Sequence, residues 1–112
     1  MIRVMYHAPF ELNVYGHAET VGRDEYSAIC AAVSALMGGL CEAMEQNRRL
    51  LQKKEICLWA GYAHVNVVPK REFGPACKKM FEPCLYGLAH LAKQYPEAIR
   101  FVRDGSTKIR RS

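Results

Sequence analysis

No two of the five cysteines in this 112-residue chain form a C-x-x-C pair, and no two histidines stand at zinc-finger spacing. A tetrahedral Cys/His zinc site therefore has no ligand set to draw on, and no metal is expected. The cysteines (Cys30, Cys41, Cys57, Cys77, Cys84) are odd in number, a poor disulfide framework that fits a reducing compartment. No run approaches the ~18 consecutive apolar residues of a membrane span. Met1-Ile2-Arg3-Val4-Met5-Tyr6 lacks the apolar block of a signal peptide. Internal repeats and low-complexity stretches are absent. Acidic residues are few: 11 Asp and Glu stand against 16 Lys and Arg, for a net charge of +5 and a pI near 9.1. The basic residues are scattered through Arg48-Arg49, Lys53-Lys54, Lys70-Arg71, Lys78-Lys79 and the segment 108–111. With no single stripe, nucleic acid is not expected as the primary partner. These absences point to a soluble, cytoplasmic chain with no membrane partner.

What is present fits one folded domain. Half the residues are hydrophobic and 24% are charged, an ordinary balance for a packed core and too little charge for disorder. Ile2, Val4 and Tyr6 alternate, Ala8-Pro9 interrupts, and Phe10, Leu12 and Val14 alternate again, which predicts a hairpin. The polar run 19–25 contains Gly22 and reads as a loop. Apolar residues at Ile29, Val33, Leu36, Met37, Leu40 and Met44 then follow helical period to about Asn47. Ser27 is a candidate N-cap, with Asp24 one turn earlier as the alternative start. Gly38-Gly39 inside this helix costs roughly 1 kcal/mol per glycine and suggests the close approach of another backbone.

Residues 56–62 and 63–68 read as two more strands, with Gly61 at or near their turn. Gly74-Pro75 opens a second helix to about Gln94, with Pro at its first position. Pro83 conflicts with that helix and predicts a kink or a later start. Tyr95-Pro96 ends it, and 99–102 is a last strand. The order ββαββαβ predicts a two-layer α+β domain over 1–103, one antiparallel or mixed sheet covered on one face by two helices. Residues 104–112 read as a mobile basic tail.

The residues able to carry chemistry are His17 and Cys30. His17 follows a strand between Gly16 and Ala18, so little bulk crowds its ring. Cys30 falls three positions after the Ser27 cap, where a helix N-terminus favours thiolate. A thiolate beside an imidazole is the minimal nucleophile–base pair for acyl transfer, and the free N–H groups of that helix end could hold an oxyanion. Spacing alone leaves a small buried Cys and a polar strand-end His as the competing reading. Core packing is the reading for Cys41, Cys57, Cys77 and Cys84, and a sheet-face anchor is the reading for Trp59 and Tyr62. His7 is expected exposed beside its turn. His64 and His90 have no motif around them, and a solvated or core role is expected for each.

The run itself says more. Gly16-His17-Ala18, a polar loop with Gly22 and Asp24, and Ile29-Cys30-Ala31-Ala32-Val33-Ser34-Ala35-Leu36 resemble the signature of the ribosomal-processing cysteine protease (Prp) family. That signature is G-H-A, a short Gly-containing loop, then D-I-V-C-A-x-V-S-A-L. Leu85-Tyr86-Gly87-Leu88, Leu91-Ala92 and Tyr95-Pro96-Glu97 look like the family's last helix and its closing Y-P. The resemblance implies a cytoplasmic, cofactor-free cysteine endopeptidase that forms homodimers through its helices. Its protein substrate would be the N-terminal extension of a large-subunit ribosomal protein or, in phage relatives, a virion protein.

Carried over, Cys30 is the nucleophile, His17 the general base, Gly16 and Ala18 leave room at the His, and Ser34 is a matched motif residue. Ser27 stands where the family usually has Asp, and Glu25 where it usually has Gly. The His-to-Cys loop is one residue longer and the first hairpin shorter. Asp24, Glu19 or Glu25 would then have to orient the His. These departures imply a divergent, phage- or prophage-type member. Two alternatives stand beside this reading: a non-catalytic basic α+β module associated with ribosome or RNA, and a family member that has kept the fold and lost activity.

Overall fold

The computed structural model describes residues 1–17 and 23–104, with side chains described for 1–17 and 28–104. The chain runs β1 (Ile2–His7), β2 (Glu11–Tyr15), α1 (Arg23–Gln46), β3 (Leu51–Trp59), β4 (Tyr62–Pro69), α2 (Gly74–Gln94) and β5 (Ile99–Arg103). Single 3-10 turns at Arg48–Leu50 and Arg71–Phe73 precede β3 and α2. The strands form one mixed sheet in the order β3-β4-β2-β1-β5. Only the β1–β5 pair is parallel. This is the two-layer ββαββαβ arrangement that the alternations predict. The expected tail beyond Asp104 and the loop around Gly22 lie outside the described residues.

The strand alternation sets one sheet face against the helices. Ile2, Val4 and Tyr6 of β1, Leu12 and Val14 of β2, and Ala63, Val65 and Val67 of β4 are buried. They meet Ile29, Val33, Met37, Leu40, Cys41 and Met44 of α1 and Cys77, Phe81, Cys84, Leu85 and Leu88 of α2. By length and composition, Ala28–Gln46 is apolar enough to cross a membrane, with a mean hydropathy of 1.4. Here its buried stripe at i, i+4, i+8 packs on the sheet as a core helix does. Phe81 meets Phe10 edge to face, with ring centroids 5.8 Å apart, a favoured aromatic geometry.

Several expectations are corrected. The helix starts at Arg23, so Ser27 lies inside it and is not its N-cap; the earlier start near Asp24 is the closer one. β3 begins at Leu51, five residues before the alternation shows it. As an edge strand it carries Gln52, Lys53, Lys54 and Glu55 exposed, and charge on an edge discourages pairing with another chain. α2 runs unbroken from Gly74 through Pro83. Pro83 is exposed, so the carbonyl that loses its N–H partner there faces water.

The small residues behave differently from their sequence reading. A Cβ added at Gly38 or Gly39 would meet nothing within 4 Å, so no backbone approaches there. The close approach is at Gly87 of α2, where an added Cβ would lie 2.7 Å from Leu36 Cδ2 of α1. Gly38→Ala is therefore expected to stabilise the fold by about 1 kcal/mol through helix propensity alone. Gly87→Ala gains the same propensity but must push aside the end of the Leu36 side chain, so it should stabilise less than Gly38→Ala. Thermal unfolding of the two variants checks this: the Gly38→Ala midpoint should rise by more.

Candidate active site

The site is built at the end of the sheet where β1 starts, β2 stops and the β3–β4 hairpin turns. Directly after β2, Gly16 takes a φ of +101°, and a Cβ there would lie 2.2 Å from the Met1 carbonyl oxygen. Glycine is the residue for both reasons. The Gly16 N–H donates to the carbonyl of Gly61, at 3.0 Å, on the β3–β4 turn. Gly61 has a φ of +77°, and its missing side chain makes room for the next residue. An added Cβ would lie 2.9 Å from His17 Nε2 and 3.1 Å from Cε1. The amino nitrogen of Met1 donates to the His17 carbonyl at 2.5 Å. One strand end, one hairpin tip and the start of β1 thus fix the backbone of His17, and its exposed ring lies beside Gly61.

Cys30 comes to the same place on α1. It is half-buried, one residue past the buried Ile29 and one turn before Ser34. His17, Cys30 and Ser34 line one cavity of about 310 Å³, walled opposite by Leu58, Trp59 and Tyr62 of the hairpin. The two residues singled out for chemistry are therefore brought to one cleft, and Ser34 joins them. Gly16 acts through backbone geometry. Ala18 lies outside the described residues, as do the side chains of Asp24 and Ser27.

The helix end does not fall where the sequence places it. Cys30 is the eighth residue of α1, about 10 Å along the axis from its start. Its own N–H belongs to the helical ladder, and the field of a helix end fades within the first turn. The first-turn N–H groups are thus not adjacent to the thiol.

The hairpin wall is what sequence reasoning missed. Trp59 is 72% exposed and Leu58 48% exposed, so Trp59 is not a buried sheet anchor. The available signal was Gly61, a glycine between two strand patterns, which marks a turn that brings a neighbour close. Cys57 is also misplaced by the core-packing reading. It pairs with His64 on the sheet face away from the helices and is only half-buried.

Of the remaining histidines, His90 is exposed and His7 and His64 make polar contacts. His7 contacts the Asp104 carboxylate. His64 contacts the Asn13 side chain, with Glu55 3.4 Å from its other nitrogen. Among the described residues no three metal-ligating side chains cluster.

Cys41, Cys77 and Cys84 are buried, and burial pushes all three thiols up from the ordinary 9.0. For Cys84, where Cys41 adds to the effect, the value reaches about 12. The Cys84 thiol points at Met37 Sδ, 3.8 Å away. A thiol with a raised folded-state value favours folding fully while both states hold the proton. That contribution falls once the unfolded chain ionises near 9.0 and is gone above about 12. Denaturant midpoints should therefore fall between pH 8 and pH 11, and fall less steeply in Cys84→Ala. Native alkylation at pH 8 should spare these three cysteines and modify Cys30 and Cys57, read by intact mass and peptide mapping.

Comparison with known proteins bears on the family and the fold. The family model described as cysteine protease Prp matches residues 1–100. No curated protein matches the chain significantly. Among solved structures, the essential ribosomal processing protease Prp of S. aureus, in complex with a covalently linked product peptide, superposes with a TM-score of 0.73. It is 21% identical, over 93% of this chain and 100% of that one. The same protease with a substrate peptide gives 0.71 at 20% identity, again over 93% and 100%. SMU.848 of Streptococcus mutans gives 0.68 at 22% identity, over 91% and 90%. At these identities the structures speak for the fold, and the family rests on the model match over nearly the whole length: the chain belongs to the Prp family of cysteine proteases.

Proposed function

We propose that Cys30 and His17 are the nucleophile and general base of a cysteine endopeptidase that trims a short segment from a larger protein. The observation that carries this reading is that both side chains line one cleft, although they stand thirteen positions apart in sequence. His17 takes the Cys30 thiol proton as sulfur attacks the scissile carbonyl. The tetrahedral intermediate collapses, the proton passes from His17 to the departing amine, and an acyl thioester remains on Cys30. Water, deprotonated by His17, then attacks the thioester and regenerates the thiol.

The cleft suits a short extended segment. It is about 310 Å³ in volume, large enough for one or two side chains and not for a folded domain. The substrate class this reading favours is the N-terminal extension of a ribosomal protein, as for the S. aureus relative described as a ribosomal processing protease. A phage structural protein is the other occupant of the same chemistry. The compartment that goes with this is the cytoplasm. A homodimer through the helices is part of the reading. α1 leaves Ala28, Ala31, Ala35 and Gly39 exposed, and Tyr86 of α2 is 66% exposed.

Cys30→Ala should abolish cleavage of an extended ribosomal or virion protein, measured by mass spectrometry of the products. His17→Ala should lower the rate by about 10²–10⁴-fold, the usual worth of a positioned base. In the native protein, Cys30 should alkylate faster than Cys57 at pH 6, and His17→Ala should remove the difference. Cleavage that survives Cys30→Ala would refute the assignment.

A further inference from the structure

The helices cover one face of the sheet, and among the described residues nothing packs on the other. The registers place one residue from every strand in a single row across that open face. Trp59 of β3 pairs with Tyr62 of β4, Tyr62 with Tyr15 of β2, Tyr15 with Arg3 of β1, and Arg3 with Arg100 of β5. All five side chains are exposed. Neighbouring strands are about 4.8 Å apart, so the row runs about 19 Å with three aromatic rings at one end and two guanidinium groups at the other. The Tyr62 ring is parallel to that of its face neighbour His64, with an interplanar angle of 6° and centroids 6.4 Å apart.

The other rows of this face give it direction. The second holds Cys57, His64, Asn13, Met5 and Val102. The third holds Glu55, Asn66, Glu11 and His7, with Asp104 beside His7. Within the rows, Glu55, Glu11 and Asp104 stand at the end far from the aromatic row, while outside them exposed Glu97 lies two residues before β5 begins.

We infer that this row is a binding platform for a single-stranded nucleic-acid segment laid across the sheet, with bases stacked on Trp59, Tyr62 and Tyr15 and phosphates met by Arg3 and Arg100. Aromatic faces take any base, and guanidinium groups hold the backbone. The acidic third row repels phosphates and confines the strand to the first. An apolar protein partner would instead find charged and polar groups in every row. The platform shares the β3–β4 hairpin with the cleft but does not depend on Cys30 or His17, so it stands or falls separately from the peptidase reading.

The test is direct because Trp59 is the single tryptophan of the chain. Titration with a 12-nucleotide oligouridylate at 50 mM salt should quench its fluorescence saturably, and the affinity should fall linearly in log–log plots as salt rises. Tyr62→Leu and Tyr15→Leu, followed by the Trp59 signal, should each weaken binding about tenfold. Arg3→Ala should flatten the salt slope. Arg48→Ala, on the turn before β3 and away from the row, should change neither.

Circular dichroism of each variant guards against loss of fold, and Arg3→Lys should recover part of the affinity if charge is what matters. Equal weakening by Arg48→Ala and Arg3→Ala would overturn the platform in favour of diffuse charge attraction. So would quenching by a peptide and not by the oligonucleotide, or tighter binding of duplex than of single strand.

Discussion

The hydrogen bond from Gly16 to Gly61 is the constraint on which the site depends. It ties the end of β2 to the tip of the β3–β4 hairpin, and both partners sit at positive φ where a side chain would be strained. The two missing Cβ atoms have separate uses. At Gly16 the space is filled by the Met1 carbonyl, which brings β1 alongside. At Gly61 it is filled by the His17 ring. The backbone of the histidine is thus held from the start of β1, and its ring lies beside the hairpin tip. α1 contributes Cys30 from the other side, anchored by the buried Ile29 and Val33 around it. The cleft exists because a helix and a hairpin tip face each other past the end of the sheet.

The same sheet serves two purposes through its two faces. Residues facing the helices are mostly aliphatic and buried, and they supply the core of a small domain. Residues on the opposite face are polar, aromatic and charged, ordered by row from cationic to acidic. The parity of a strand decides which set a residue joins. Trp59 and Leu58 are neighbours in sequence and lie on opposite faces, yet the hairpin tip lets both border the cleft.

The fold was legible where period and burial agree. The alternation of Ile2, Val4 and Tyr6, and of Val65 and Val67, is that of a sheet with one buried face. The Ile29–Val33–Met37–Leu40–Met44 spacing is that of a helix with one buried stripe. That His17 and Cys30 line one cleft was legible through the motif rather than through spacing, which allows many arrangements. What stayed hidden has identifiable causes. The first half of β3 is an edge strand, and its polar residues erase the alternation. Ser27 looks like a cap because hydroxyl residues often are, but helix starts depend on tertiary context. Gly38-Gly39 suggests a close neighbour because glycine in a helix is costly, yet the neighbour is at Gly87, where Leu36 needs the room. Cys57 and Trp59 could not be assigned a face without the register of β3 on β4.

The measurement closest to the central claim is the rate of Cys30 alkylation at pH 6 in the native protein, in Gly61→Ala and in His17→Ala, followed peptide by peptide. If the Gly16–Gly61 turn holds His17 for action on Cys30, a methyl group at 61 displaces the ring. The Cys30 rate in Gly61→Ala should then fall toward that of His17→Ala, while the Cys57 rate stays fixed. A Cys30 rate unchanged in both variants, with the fold intact, would contradict the account.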